Sequence, residues 1–171
     1  MLSIVETPWG RLFVVVNKGA LDYCNWQGGA SSSKLQKIMR ENLWEENAQD
    51  KLVMKKVLRQ IDEYFSGKRK EFSLPLNLRG TDFQMKVWEE IVKIKYGDTL
   101  SYKELAQRCG DVKGARAVAQ ACGANPIALV VPCHRVVASD GTSGGYAGGT
   151  HIKLRLLQLE NPTDRSDVEG Q

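Results

Sequence analysis

The 171 residues suffice for one domain or two small ones, and a composition 42% hydrophobic and 26% charged is that of a soluble globular protein, which excludes disorder over most of the chain. A formal charge of +4 and a pI near 8.9 allow a polyanionic partner without demanding one. No cationic N-terminal segment leads into a long apolar run and no stretch is long enough to cross a bilayer, so no membrane association is expected, and the predicted location is cytoplasmic, or nuclear in a eukaryote.

Short β-like runs open the chain. Residues 2–6, 12–17 and 21–26 are separated by Pro8-Trp9-Gly10 and Asn17-Lys18-Gly19, both turn-forming, and predict a three-stranded antiparallel meander. Ser31-Ser32-Ser33 then offers an N-cap to a helix carrying Leu35, Ile38, Met39 and Leu43 at helical spacing. A second helix, residues 52–65, places Val53, Val57, Ile61, Tyr64 and Phe65 on one stripe and stops at Ser66-Gly67; both helices are expected to cover one face of the sheet. From 67 to 80 the composition turns to Lys68-Arg69-Lys70, Leu74-Pro75-Leu76 and Arg79-Gly80, an extended connector whose basic cluster reads as solvated surface.

Beyond the connector, Thr81-Asp82-Phe83-Gln84 is a capping-box pattern ahead of a helix with Phe83, Val87, Trp88 and Ile91 as its core stripe. Gly97-Asp98 closes that segment, and a second capping box, Ser101-Tyr102-Lys103-Glu104, starts a short helix through Leu105, Ala106 and Cys109. After a turn at 110–114 another helix spans 115–124, and two short helices joined by a glycine-containing turn have the form of a helix-turn-helix. The second of them reads Ala115-Arg116-Ala117-Val118-Ala119-Gln120-Ala121-Cys122. Small residues let a helix approach a narrow surface closely, whereas a major-groove reader displays several long polar side chains; alanine is also simply a good helix former. Arg116, the one long cation on this helix, is either solvated or placed to insert into a duplex or clamp phosphate.

Two reactive side chains stand together in the stretch Asn125-Pro126-Ile127-Ala128-Leu129-Val130-Val131-Pro132-Cys133-His134-Arg135-Val136-Val137. Its apolar, β-branched run is expected to be extended. A lone cysteine there is ordinarily a small core residue. A reactive one needs a base or a cation, because a free thiol with a pKa of about 8.5 is mostly protonated near neutrality. Adjacent side chains of an extended segment leave opposite faces, so Cys133 and His134 cooperate only through a bridging water or a turn after Pro132. The four cysteines (Cys24, Cys109, Cys122, Cys133) and two histidines (His134, His151) contain no C-x-x-C or closely spaced histidine pair, which argues against a bound metal and, in a reducing compartment, predicts free thiols. The glycine-rich stretch 141–149 lacks the Gly-Lys-Ser/Thr ending of a phosphate-binding loop.

Taken together, Arg116-Ala117-Val118, Asn125-Pro126, Pro132-Cys133-His134-Arg135-Val136-Val137, Gly144-Gly145-Tyr146-Ala147-Gly148-Gly149, and Leu156-Leu157 through Glu160 resemble the 6-O-alkylguanine-DNA alkyltransferases, also termed methylated-DNA-protein-cysteine methyltransferases. The resemblance covers essentially all of 81–160, and Pro-Cys-His-Arg at this distance from Asn-Pro is highly specific. It implies direct-reversal DNA repair. The protein would flip 6-O-methylguanine, and 4-O-methylthymine, out of duplex DNA and take the alkyl group irreversibly onto Cys133, once per molecule and with no cofactor.

Residue by residue, the resemblance makes His134 the base that takes the thiol proton through a water and Glu160 the carboxylate that orients the imidazole, a triad logic with sulfur as nucleophile. Asn125 would hold the turn that carries the cysteine, and Tyr102 would protonate or hydrogen-bond the departing guanine and help rotate the target phosphate. Arg116 would fill the gap left by the flipped base, its helix lying in the minor groove with Ala115, Ala117 and Gln120 against the DNA. Tyr146 would pack on the base, the Ala147 amide would face the guanine oxygen, and the carbonyls of Cys133 and Val136 would receive the exocyclic amine. The chain departs from relatives in having Ala147 for a serine and Ala128 for a proline of some members, in Gln120 and Cys122 on the reading helix, and in a first lobe with Cys24 and no histidine, where a structural zinc site found in some members should be absent.

The resulting expectation is an α/β (α+β) protein: an N-terminal α/β lobe (1–66), a connector (67–80), a mostly helical lobe (81–160) with a helix-turn-helix of winged-helix-like type, and a polar tail (161–171), working as a monomer on double-stranded DNA. A reversible helix-turn-helix regulator would explain 101–124 but not Cys133-His134. A cysteine hydrolase using His151 as base would leave the smooth helix unexplained. Family members that only bind lesions lack the cysteine present here.

Overall fold

The computed structural model describes residues 1–29, 32–41, 46–110 and 113–163. Strands β1 (Leu2–Thr7), β2 (Gly10–Asn17) and β3 (Ala20–Trp26) form the expected antiparallel meander in the order 1-2-3. Asn17 pairs with Ala20, leaving Lys18-Gly19 as a two-residue loop whose φ values of 50° and 75° match the right-handed twist of the flanking strands. The central strand buries Leu12, Val14, Val15 and Val16, whereas the edge strand β1 leaves Ile4 exposed.

Helix α1 spans Ser32–Glu41 and α2 spans Ala48–Phe65. The second begins a turn earlier than the apolar stripe implies, because Asn47 caps it by accepting from Asp50 N at 2.8 Å. Its buried face, Met54, Val57, Ile61 and Tyr64, packs on β2 and β3. Among the described residues α2 is the helix that covers the sheet: none of the α1 residues is fully buried, and Met39 is exposed. Instead, Lys34, Lys37, Ile38 and Glu41 of α1 form one side of an open groove whose other side includes Asp22, Asn77, Arg79 and Pro126. Ser31 and Leu43 lie outside the described residues.

The connector runs beside β3, where Leu21 N donates to Pro75 O at 2.8 Å and Asn77 N donates to Leu21 O at 2.9 Å. Helix α3 (Asp82–Val92) and helix α4 (Tyr102–Arg108) both start with complete capping boxes, at Thr81/Gln84 and Ser101/Glu104. With α5 (Gly114–Gly123) they form a three-helix cluster, to which Trp88 Nε1 adds a hydrogen bond to Ala121 O at 2.9 Å. The α4–α5 pair is the expected helix-turn-helix; Asp111 and Val112 of its turn lie outside the described residues. A short parallel pair, β4 (Leu100–Ser101) and β5 (Val136–Val137), ties the start of α4 to the segment after Cys133, and α6 (Thr150–Glu160) closes the chain.

The run 127–131 is not a strand. Only Ile127 forms a bridge, to Cys24, and the chain then turns: Val131 N donates to Ile127 O at 3.0 Å, and Leu129 adopts φ +70°. Asn125 outcompetes the β propensity of the run. Its Oδ1 accepts from Ile127 N at 2.9 Å while its Nδ2 donates to Val131 O at 2.9 Å, closing the loop on itself. Of the tail, residues 161–163 are described and the rest lies outside the described residues.

Candidate active site

Pro132 is followed by a single 3-10 turn, Cys133–Arg135, which is the turn that the Cys133-His134 pair requires. Asn125 Nδ2 lies 3.2 Å from Cys133 Sγ, so one amide holds both the loop and the thiol. Burial pushes the thiol pKa up, while the Asn125 hydrogen bond and the Lys153 charge pull it down; the net is a protonated thiol at rest. Cys133, Tyr102, Tyr146 and Ala147 line one cavity of about 270 Å³ together with Ala119, Cys122, Gly123 and Gly145.

Behind the cysteine, His134 Nε2 is 2.7 Å from Glu160 Oε2, and both side chains are buried. Arg135 Nε donates to Glu160 Oε1 at 2.7 Å and its second amino group to Oε2 at 3.1 Å, while its third nitrogen donates to Ile94 O at 2.6 Å. Tyr64 OH donates to Glu160 Oε2 at 2.6 Å. Burial works against the ionised Glu160, but His134 and Arg135 more than offset it and hold the carboxyl at about 2. Burial also lowers the pKa of His134, against the opposing pull of Glu160, so the imidazole rests neutral. With Nε2 committed to Glu160, Nδ1 is the ring nitrogen without a hydrogen-bond partner among the described residues. A neutral imidazole with one nitrogen anchored and the other open is a base ready to accept a proton.

The glycine-rich loop is threaded between two aromatic rings. A Cβ on Gly144, whose φ is +72°, would lie 2.8 Å from the Tyr102 ring, and one on Gly148 would lie 2.5 Å from the Trp26 ring. Only glycine lets the loop pass this closely. Trp26 Nε1 donates to Tyr146 OH at 3.1 Å, and the Tyr146 and His134 rings meet edge to face with centroids 6.4 Å apart. Tyr102 OH lies 3.4 Å from Gly145 O, and burial raises its pKa to about 12.

On α5, Ala115, Arg116 and Gln120 are exposed and Ala117 is half-buried. Ala119, Cys122 and Gly123 of the same helix reach the cavity, so the helix surface runs directly into it. Val136 is fully buried and is not among the residues that line the cavity; its carbonyl accepts from Lys153 Nζ at 2.5 Å, and the Cys133 carbonyl accepts from Val136 N. Each carbonyl retains a second lone pair.

A model of the 6-O-methylguanine DNA methyltransferase ribonuclease-like domain matches residues 2–78, and one of the 6-O-methylguanine DNA methyltransferase DNA binding domain matches residues 82–162. The chain belongs to the 6-O-methylguanine DNA methyltransferase family. It is 40% identical over 158 residues to a methylated-DNA-protein-cysteine methyltransferase of Methanosarcina barkeri, covering 92% of this chain and 95% of that one. It is 50% identical over 101 residues to the enzyme of that name from Mycobacterium leprae, covering 59% and 61%. The crystal structure of Mycobacterium tuberculosis OGT in complex with DNA superposes with a TM-score of 0.80 at 36% identity, over 93% of this chain and 91% of that one.

Within this family member, the sequence reading did not find Lys153. The lysine is fully buried, donates to Val136 O, to Gly145 O at 3.0 Å and to Tyr102 OH at 3.3 Å, and burial lowers its pKa to about 8. Its signal was its position: seven residues before Glu160 and three before Leu156, it lies on the inward stripe of α6. His151 is exposed in the first turn of α6 and does not line the Cys133 cavity, which removes the support for a Cys133-His151 pair. Among the described residues no group of three or more His, Cys, Asp or Glu side chains is arranged to hold a metal, and no helix is long and apolar enough to cross a membrane.

Proposed function

We propose that the chain repairs DNA by moving the methyl group of 6-O-methylguanine, and of 4-O-methylthymine, onto Cys133, once per molecule. The observation that carries this reading is the cavity with Cys133 in its wall, backed by the His134–Glu160 pair and continuous with the α5 surface. His134 Nδ1 takes the thiol proton through one water as sulfur attacks the methyl carbon. The S–C bond forms as the C–O6 bond breaks, and the electron pair stays on the guanine, which gains a proton from the Tyr102 hydroxyl. Lys153, donating to that hydroxyl oxygen, stabilises the phenolate so formed. A thioether is not hydrolysed, so the thiol is not regenerated, and no cofactor takes part.

The lesion reaches the cavity by flipping. The smooth α5 enters the minor groove through Ala115, Ala117 and Gln120, and Arg116 occupies the space of the extruded base, offsetting an unstacking cost of a few kcal/mol. Tyr146 packs on the base, the Ala147 amide meets the guanine oxygen, and the free lone pairs of the Cys133 and Val136 carbonyls receive the exocyclic amine. We divide the chain into an N-terminal lobe (1–66), a connector (67–80), an alkyl-transfer and DNA-binding lobe (81–160) and a polar tail (161–171). The protein acts as a monomer wherever the genome is held, the cytoplasm or, in a eukaryote, the nucleus.

Stoichiometry tests this. A limiting amount of protein is mixed with excess duplex carrying one 6-O-methylguanine, and restored guanine is counted by digestion and chromatography. Repair should stop at one lesion per protein molecule. Continued turnover, or binding without any restored guanine, would contradict the proposal.

A further inference from the structure

One hydroxyl from the sheet-bearing half of the molecule reaches the innermost atom of the site. Tyr64 lies in the last turn of α2, fully buried, and donates to Glu160 Oε2 at 2.6 Å across a sequence separation of 96 residues. That oxygen is the one that His134 Nε2 meets at 2.7 Å. Resting on the reading of His134 and Glu160 as the base unit, we propose that Tyr64 is a positioning residue for alkyl transfer: by sharing Glu160 Oε2 with His134, its hydroxyl sets the basicity of the imidazole.

Three donors converge on Oε2, from Tyr64, His134 and Arg135, whereas Oε1 receives Arg135 Nε. A carboxylate oxygen has two lone pairs, so the three donors compete, and each draws charge away from the others' share. Removing the neutral donor concentrates negative charge where the imidazolium would form and makes His134 more basic. The remaining groups around the ring keep their signs: Arg135 and Lys153 disfavour the imidazolium, Glu160 favours it, and Tyr146 meets the ring edge to face. Tyr96 borders Arg135 on the outer side, with the guanidinium 5.8 Å from its ring centroid. Tyr64 itself stays protonated, its pKa raised well above 10 by burial and by the Glu160 charge, so it donates throughout the working range. The consequence is a base kept neutral, and able to accept the Cys133 proton, at a pH where a stronger Glu160–His134 pair would already have protonated it.

The packing role of Tyr64 resides in its ring, which makes edge contacts with Phe65 and Tyr96 and a tilted contact with Phe72, and phenylalanine preserves that ring. In Tyr64→Phe, the rate of methyl transfer from duplex 6-O-methylguanine is measured against pH, and the His134 imidazole is titrated in the free protein by nitrogen-15 NMR. The acid limb of the rate profile and the His134 midpoint should both move up, by about one pH unit, with the plateau rate within about threefold of the parent. Site-specific 3-fluorotyrosine at 64, a stronger donor on the same ring, should move both down. It also keeps the test alive if Tyr64→Phe fails to fold. An unmoved or lowered His134 midpoint in Tyr64→Phe overturns the proposal, as does a rate reduced by the same factor at every pH. Methyl arriving on a residue other than Cys133 would sink the reading of the site instead, and the NMR titration would still report what Tyr64 does to the ring.

Discussion

Residues 2–65 and 82–160 distribute their buried polar groups differently, dispersed in the first region and gathered in the second. In the first region they tie down scattered, separate points of the fold: Asp50 accepts from Gly19 N, Gln60 bonds both ways with the Ser73 backbone, and Asp22 accepts from the Asn77 and Arg79 side chains. In the second, Asn125, His134, Arg135, Lys153 and Glu160 lie around one cysteine and bond largely to one another or to the loops that frame it. In the first region these buried polar groups are matched one by one, whereas in the second several charges are buried around one cysteine at a cost in free energy. Yet the regions are not independent. Asn25 Nδ2 donates to Asn125 O at 3.2 Å, Trp26 to Tyr146, and Tyr64 to Glu160, so three site residues are aligned from across the interface.

The sharpest way to break this comparison is Glu160→Gln. It leaves Arg135 buried without its counter-charge and should cost about 3–5 kcal/mol of stability by denaturant unfolding, with transfer slowed by on the order of 100-fold or more. The pH signature follows from the sign of the shift. Glu160 titrates at about 2 in the folded protein against an ordinary 4.5. Its contribution is therefore complete above pH 4.5 and is lost as pH falls through 2. Parent and variant stabilities should converge across that window, and a constant gap down to pH 2 would show that the carboxylate charge is not what matters.

Arg116→Ala probes the exposed end of the second region. Repair of duplex should fall by about tenfold, with reaction of the free modified base within about twofold, because only the duplex requires a substitute for the flipped base. Equal losses on both substrates would argue against insertion. Smallest is Trp26→Phe, which removes the Nε1 donor to Tyr146 and keeps most of the ring. A stability loss of about 1 kcal/mol and a rate change within about threefold are expected. A loss matching that of Glu160→Gln would mean that the first region shares in the chemistry rather than the alignment.

Much of this arrangement was legible in the sequence where the physics is local. Short β-like runs broken by Pro8-Trp9-Gly10 and Asn17-Lys18-Gly19 predicted the meander, and the capping boxes at Thr81 and Ser101 placed two helix starts to the residue. Cys133 and His134 stood out because adjacent reactive groups need a turn, and the turn is there. The run 127–131 misled because β-branched residues read as strand, while the deciding group, the Asn125 amide, acts across six residues. In α1, helical spacing of Leu35, Ile38 and Met39 suggested a core face, but the helix borders an open groove and buries none of its residues fully. Lys153 and Tyr64 were hidden for a different reason. A buried lysine and a buried tyrosine are identified by partners that only the tertiary fold supplies: Val136 and Gly145 carbonyls for one, Glu160 for the other.

The most direct test of the central claim, that Cys133 is the acceptor, is intact mass of the protein after reaction with duplex DNA bearing one 6-O-methylguanine, followed by peptide mapping. One added methyl group, saturating at one per molecule and mapping to Cys133, is the predicted result. An unchanged mass with DNA still bound, or a methyl group on another residue, would contradict it.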